Sequence, residues 1–266
     1  MTASIAIIGF GSITQTLLSA LGESDDIRVS NIVVRPERIG TTGYRWRDAC
    51  FVASIDELAP DVELVVEAAG QPALVQHAEK VVTSGRRLAL VSSGALADDS
   101  FRTKVSSAAT RNGSEVHVIS GAIGALDALS TARAAGVQTV RYTGIKPTAA
   151  WRGTPAEDCV DLDKITEAVT FFTGSARDVA QRYPKNANVA ATIALAGSGF
   201  DETRVSLVAD PAVIHNCHIV ESEGVLGAFR FETTAAPLSS NPRTSGSTVF
   251  SIVSFLRDRT NAIRLA

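Results

Sequence analysis

A chain of 266 residues with 45% hydrophobic and 20% charged side chains can bury the core of one large or two modest domains, which excludes a disordered polymer. Its formal net charge of −3 disfavours nucleic acid or an anionic membrane as the main partner, and no apolar run approaches the ~20 residues that span a bilayer. Cys50, Cys159 and Cys217 are odd in number and far apart, and residues 1–10 lack a basic, cleavable leader pattern, so a cytoplasmic protein with free thiols and no disulfide framework is expected.

Residues 5–8, Ile-Ala-Ile-Ile, form a short apolar run stopping at Gly9, as a strand buried on both faces of a parallel sheet does. Leu17, Leu18 and Leu21 then recur at helical spacing up to Gly22, and residues 27–34 read as a second strand. Together they make a βαβ unit of about 30 residues. Ser54-Ile55-Asp56-Glu57 has the capping-box pattern of a short helix, and residues 63–67 read as a strand. A helix over 72–84 closed by Gly85, a strand over 88–91, a helix over 99–112 stopped by Gly113 and a strand over 116–119 follow. This alternation predicts an α/β fold, a Rossmann-type doubly wound parallel sheet, over a dinucleotide-binding domain of residues 1–121.

Beyond residue 121 the rhythm changes. Extended segments at 137–145, 168–172, 204–209, 218–222 and 229–233 follow one another with little helix between them. They predict a second α+β domain, the substrate domain, over residues 122–243 with a largely antiparallel sheet. Residues 147–161, rich in Pro, Gly and Thr but holding Trp151, read as an ordered loop. Val249, Ile252, Val253 and Leu256 lie at i, i+3, i+4 and i+7, so residues 244–259 are amphipathic helix, and 244–266 are expected to pack back on the first domain.

The loop Gly9-Phe10-Gly11-Ser12-Ile13-Thr14 sits between the first strand and helix, where a first glycine permits the turn and a second lets the backbone approach a pyrophosphate. Gly9, Gly11, Ser12 and Ile13 are therefore candidate cofactor contacts. Thr14 replaces the third glycine, which is expected to set the helix slightly further from the sheet or to offer a hydroxyl to a phosphate. The second strand runs into Val34-Arg35-Pro36-Glu37-Arg38 without the terminal carboxylate that binds NAD ribose, so Arg35, with Arg38, is a candidate for the 2′-phosphate of NADP, solvated surface positions being the alternative, and NAD or NADP is the expected cofactor with NADP accepted. Small-residue turns holding Ala69 and Gly70, Ser92 to Ala95, and Ser120 to Asp127 end later strands in the same style, forming a crevice rim.

Further motifs carry a resemblance. Ser120-Gly-Ala-Ile-Gly-Ala-Leu-Asp127, Thr143-Gly144 with Lys146-Pro147, Trp151-Arg-Gly-Thr-Pro-Ala-Glu157, Tyr183-Pro-Lys-Asn-Ala-Asn-Val-Ala190, Ala209-Asp-Pro with Asn216-Cys-His218, and Ser240-Asn-Pro-Arg-Thr-Ser245 occur in order nearly end to end. In these the chain resembles the L-aspartate dehydrogenase family. The resemblance implies a homodimeric two-domain enzyme that catalyses reversible NAD(P)-dependent deamination of L-aspartate through iminoaspartate to oxaloacetate and ammonia. It further implies that Ala122 and Asn188 contact the cofactor, that His218 is the catalytic histidine, and that iminoaspartate could be drawn off for NAD biosynthesis.

Oxidising an amine at Cα requires a group that exchanges protons near neutrality. Of four histidines, His77 lies on a predicted helix and His117 in a predicted strand of the first domain, where structural roles are the better reading. His215 and His218 are three residues apart on extended chain, pointing to opposite faces with no further ligand cluster, so no metal site is expected. His218 is a hydrogen-bonded strand histidine on its residues alone and the general acid/base once the resemblance is added, while His215 is expected to be exposed. A dicarboxylate needs cationic or amide donors, for which Lys146, Arg152, Lys185 and Arg243 are available. Lys185, before a helix start at Asn186 and Asn188, and Thr244 and Ser245, at the start of the last helix, are the substrate-binding candidates, with plain N-capping the alternative for the latter two. An oxidoreductase of another amino or keto acid, or a non-catalytic dinucleotide sensor, would share the glycine loop.

Overall fold

A computed structural model describes residues 3–22, 26–40, 46–238 and 241–263. The chain divides into two compact units, Met1–Ile119 with Thr248–Ala266, and Ser120–Ser247.

The first unit runs β1 (Ala3–Ile8), α1 (Ser12–Ala20), β2 (Ile27–Val33), β3 (Cys50–Val52), β4 (Leu64–Glu67), α2 (Gln71–Thr83), β5 (Arg87–Leu90), α3 (Asp99–Arg111) and β6 (Val116–Val118). Its strands are all parallel in the order β3-β2-β1-β4-β5-β6. Parallel strands are covered on both faces, and the central ones read accordingly: Ile5, Ala6, Ile7, Val65 and Val66 are buried on successive residues, with no polar face. Leu17 and Leu18 of α1, Leu74, Ala78, Val81 and Val82 of α2, and Val105, Ala108 and Ala109 of α3 supply the buried helical stripes.

Strand order reverses between β1 and β4, so a crevice opens past their carboxyl ends. Gly9 ends β1 at φ 98°, and a Cβ there would stand 2.6 Å from the Cβ of Ala69, in the turn after β4. Thr14 departs from the expectation. It is fully buried, and its hydroxyl donates to the Gly9 carbonyl at 3.0 Å, so the side chain closes the turn from inside and is not offered to a phosphate. The Ser54 motif also differs. Ser54 Oγ accepts from Asp56 N, and Ile55–Glu57 is a single 3-10 turn: Leu58 is already extended, and Pro60 bars helical geometry at Ala59. β3 is a three-residue edge strand too short to announce itself.

The second unit contains α4 (Leu126–Ala134), β7 (Val137–Lys146), β8 (Val169–Ser175), α5 (Ala176–Arg182), α6 (Asn188–Ala196), β9 (Arg204–Ala209), β10 (Asn216–Gly224), β11 (Gly227–Ala235), β12 (Pro237–Leu238) and β13 (Asn241–Ser245). Five strands pair in the order β11-β10-β7-β9-β8, antiparallel except where β7 meets β9. Helices α4 and α6 pack on one face of β7. α6, apolar nearly all round, is a core helix, and Gly197 at its end lets it approach Val140 where a Cβ would meet the valine at 3.1 Å. Two helices were not foreseen. α4 starts from Ala125 in the left-handed region without a side-chain cap, so no capping signal precedes it, whereas α5 is opened by a capping box between Ser175 and Asp178.

α7 (Gly246–Thr260) starts two residues later than its pattern suggested because Thr244 and Ser245 finish β13. Its stripe of Val249, Ile252, Val253 and Leu256 is buried, its Arg257 donates to the Ala20 carbonyl at 3.2 Å, and Phe255 packs on His117 of β6.

Gly9→Ala is expected to cost about 2–4 kcal/mol in chemical denaturation, from a positive φ together with the contact on Ala69. Gly11→Ala is expected to stay within about 1 kcal/mol of the parent, since φ is −91° and nothing lies within 4 Å of the new methyl.

Candidate active site

In the first unit Gly9, Gly11, Ser12 and Ile13 line the exit of β1, Arg35 follows β2, and Ala69 and Gly70 follow β4, so all seven candidates lie beyond carboxyl ends of strands. Gly11 is the N-cap of α1 with no side chain capping it, and open space surrounds its α-carbon; Gly70 caps α2 at φ 101°. A helix start presented by glycine, with room for close backbone approach, suits a pyrophosphate. Glu67, a residue the sequence reading did not single out, builds the rim. Its fully buried carboxylate accepts from Ala69 N at 2.7 Å, Gly70 N at 2.8 Å, Ser92 Oγ at 3.0 Å and Ser92 N at 3.2 Å, tying the turn after β4 to the turn after β5. Burial raises its pKa, and these donors oppose the rise. Arg35 is exposed, with its Nε 3.5 Å from a Glu37 carboxylate oxygen.

In the second unit the chemistry follows from register. His218 on β10 stands opposite Gly144 on β7, so Val140, Tyr142, Gly144 and Lys146 share its face of the sheet. A Cβ on residue 144 would lie 2.7 Å from the Tyr142 hydroxyl. Because that Cβ is missing, the phenol leans across the gap and its Oη lies 2.8 Å from His218 Nδ1. Both side chains are buried. Burial pushes the Tyr142 phenol up, so it stays protonated, and a buried hydroxyl satisfies its hydrogen by donating to Nδ1. That choice leaves Nε2 carrying the ring proton. Burial first, and the Lys146 charge second, lower the His218 pKa to about 4, so the ring is neutral at neutral pH.

Lys146 ends β7 on the same face. Its Nζ donates to Asn186 Oδ1 at 2.6 Å and lies 4.8 Å from the centroid of the Trp151 ring. Trp151 is fully buried, pinned by its indole N–H to the Val208 carbonyl at 3.0 Å and by edge contact with Phe171, which in turn packs on Tyr183. Burial lowers the Lys146 pKa to about 8.

The chain has relatives. The aspartate dehydrogenase C-terminal domain family matches residues 127–259, and the homoserine dehydrogenase NAD binding domain family matches residues 9–119. The L-aspartate dehydrogenase of Cupriavidus taiwanensis is 42% identical over 98% of this chain and 99% of its own, and that of Pseudomonas aeruginosa 41% identical over the same shares. The chain belongs to the L-aspartate dehydrogenase family. The crystal structure of aspartate dehydrogenase from Thermotoga maritima superposes with a TM-score of 0.79 at 28% identity, covering 100% of both chains. A hyperthermophilic archaeal homoserine dehydrogenase shares the fold at a TM-score of 0.59 and 12% identity, covering 95% of this chain and 97% of its own.

Within this aspartate dehydrogenase fold, Ala122 precedes α4 and Asn188 is the first residue of α6. Lys185 is exposed, and it is the neighbouring Asn186 that reaches Lys146. Ser245 Oγ accepts from Ser247 N at 3.3 Å at the start of α7, a capping contact; Thr244 lies in β13, and its side chain is outside the described residues. His215 is half-buried rather than exposed, its Nδ1 enclosed without a hydrogen-bond partner. His117 bonds Glu115 at 3.0 Å, a structural role. Among the described residues no cluster of three metal-ligating side chains occurs.

Between about pH 4 and the usual histidine value of 6.5 the unfolded chain binds a proton at residue 218 that the native protein does not, so stability is lost as pH falls through this window. The loss is expected to reach about 3 kcal/mol. Denaturation profiles of the parent and His218→Gln should converge by that amount on acidification; parallel profiles would contradict a neutral buried ring.

Proposed function

We propose that this chain is an NAD(P)-dependent L-aspartate dehydrogenase that oxidatively deaminates L-aspartate through iminoaspartate to oxaloacetate and ammonia, reversibly. The observation that carries the reading is the buried His218, oriented by Tyr142, in a chain with aspartate dehydrogenase relatives at 41–42% identity over 98% of its length.

Gly9, Gly11, Ser12 and Ile13 hold the pyrophosphate, Ala69 and Gly70 border it, and Arg35 meets the adenosine ribose or its 2′-phosphate; Ala122 and Asn188 are further cofactor contacts. When bound there, the dinucleotide would supply the acceptor for the hydride that leaves the substrate Cα. His218 polarises the reacting centre. Its Nε2–H donates to the lone pair of the deprotonated substrate amine and then to the hydroxyl oxygen that forms on the imine carbon, the protons released by ammonium and water pass to solvent, and Tyr142 keeps the ring from rotating. In the opposite direction the same Nε2–H polarises the oxaloacetate carbonyl towards ammonia. Ser245 and Thr244 are further substrate-side donors, and Lys185 a peripheral cation.

A homodimer in the cytoplasm is the setting we infer. Cys50, Cys159 and Cys217 are all free, as suits a reducing compartment. No described helix is long and apolar enough to cross a membrane.

The test is reduction of NAD or NADP by L-aspartate, with oxaloacetate plus ammonia for the reverse. His218→Gln is expected to lower kcat about 10²- to 10⁴-fold with dinucleotide affinity retained. Gly11→Ala should weaken dinucleotide binding while the fold stays intact. Dinucleotide binding without turnover on aspartate in either direction would leave the chain a sensor and overturn the reading.

A further inference from the structure

We propose that Lys146 anchors one carboxylate of the dicarboxylate substrate, with Asn186 and Trp151 holding its ammonium ready beside His218. The proposal rests on the aspartate reading above and adds the group that selects an acidic substrate.

The geometry starts from β7. Tyr142 and Lys146 stand two residues to either side of Gly144, which faces His218, so they are its two diagonal neighbours on one sheet face. One diagonal neighbour orients the ring. The other is a cation. Lys146 is half-buried, and its ammonium touches a side-chain amide and an indole face, both neutral. An ammonium has three donors, and Asn186 takes one. No carboxylate among the described residues lies within ion-pairing distance of it.

Other cations of the unit are served differently. Arg152 pairs with Asp163, Arg177 grips Asp201 through Nε at 2.6 Å, and Arg230 bridges Glu221 and Glu232. Lys185 stands in solvent. A half-buried charge without a counterion is costly, so a fold that keeps one beside its reactive histidine provides for an anion that arrives later. A substrate carboxylate is the anion that the reaction brings to His218. Its arrival has a second effect, because it cancels the positive charge that, after burial, disfavours protonation of the ring.

The experiment uses succinate, a dicarboxylate without the amino group, titrated calorimetrically into the dinucleotide-loaded enzyme, alongside steady-state kinetics with L-aspartate. Lys146→Gln should raise KM for L-aspartate and weaken succinate by about 100-fold or more, with kcat falling less than about tenfold. Lys146→Arg should recover most of the succinate affinity. Trace acetylation of the wild-type enzyme read by mass spectrometry covers the case in which Lys146→Gln does not fold: succinate should protect Lys146 and leave Lys185 unprotected. Unchanged succinate binding and KM in Lys146→Gln, a collapse of kcat at unchanged KM, or no protection of wild-type Lys146 would each overturn the proposal. If the wild-type enzyme oxidises L-aspartate while any of these holds, the anchor alone fails; if it does not oxidise aspartate at all, the reading beneath it fails.

Discussion

One absent methyl group organises the second unit. Gly144 lies opposite His218 in the β7–β10 pairing, and the space where its Cβ would stand is filled by the hydroxyl of Tyr142. The phenol reaches the imidazole across this gap, so the tautomer of a buried histidine is set by a neighbouring residue on the facing strand. Any side chain at 144 drives the phenol back, and the ring loses its hydrogen bond to Tyr142. Antiparallel register makes the arrangement strict, because a shift of one residue would carry Tyr142, Gly144 and Lys146 to the other face together.

The first unit uses the same device for a different end. At Gly9 the missing side chain admits Ala69 from the neighbouring turn, and the hydroxyl of Thr14 secures the Gly9 carbonyl from beneath. Glu67 then stitches the following turns with a carboxylate that would be prohibitively buried without its donors. In both units a glycine creates space and a buried polar group fixes what enters it. The rim suits an anion and the sheet face suits proton exchange, the two demands that amine oxidation by a dinucleotide makes.

What could be read from the sequence was what depends on neighbours along the chain. The apolar runs of β1 and β4, the stripe of α7 and the glycine turn are local patterns, and they pointed to a doubly wound sheet followed by a largely antiparallel one. His218 was visible as one of four histidines, weighted by a family resemblance. Tyr142 was not, since its partner is 76 residues away and only the strand register brings them together. Lys146 was one cation among several until burial and Asn186 set it apart from Lys185. Glu67 read as the end of a strand, and nothing in its neighbours showed that it would be capped by two turns. Thr14 read as a weakened motif, whereas its hydroxyl takes up the close contact that a glycine would leave open. α4 escaped because its first turn carries no capping residue.

Nitrogen-15 NMR of histidine-labelled protein observes the central pair directly. The His218 signals should show Nδ1 as an unprotonated, hydrogen-bonded acceptor and Nε2 as the protonated nitrogen, unchanged from about pH 6 to about pH 8. In Tyr142→Phe the Nδ1 signal should move and a second tautomer appear. A ring that titrates near its usual value of 6.5, or that carries its proton on Nδ1 in the parent, would contradict the account.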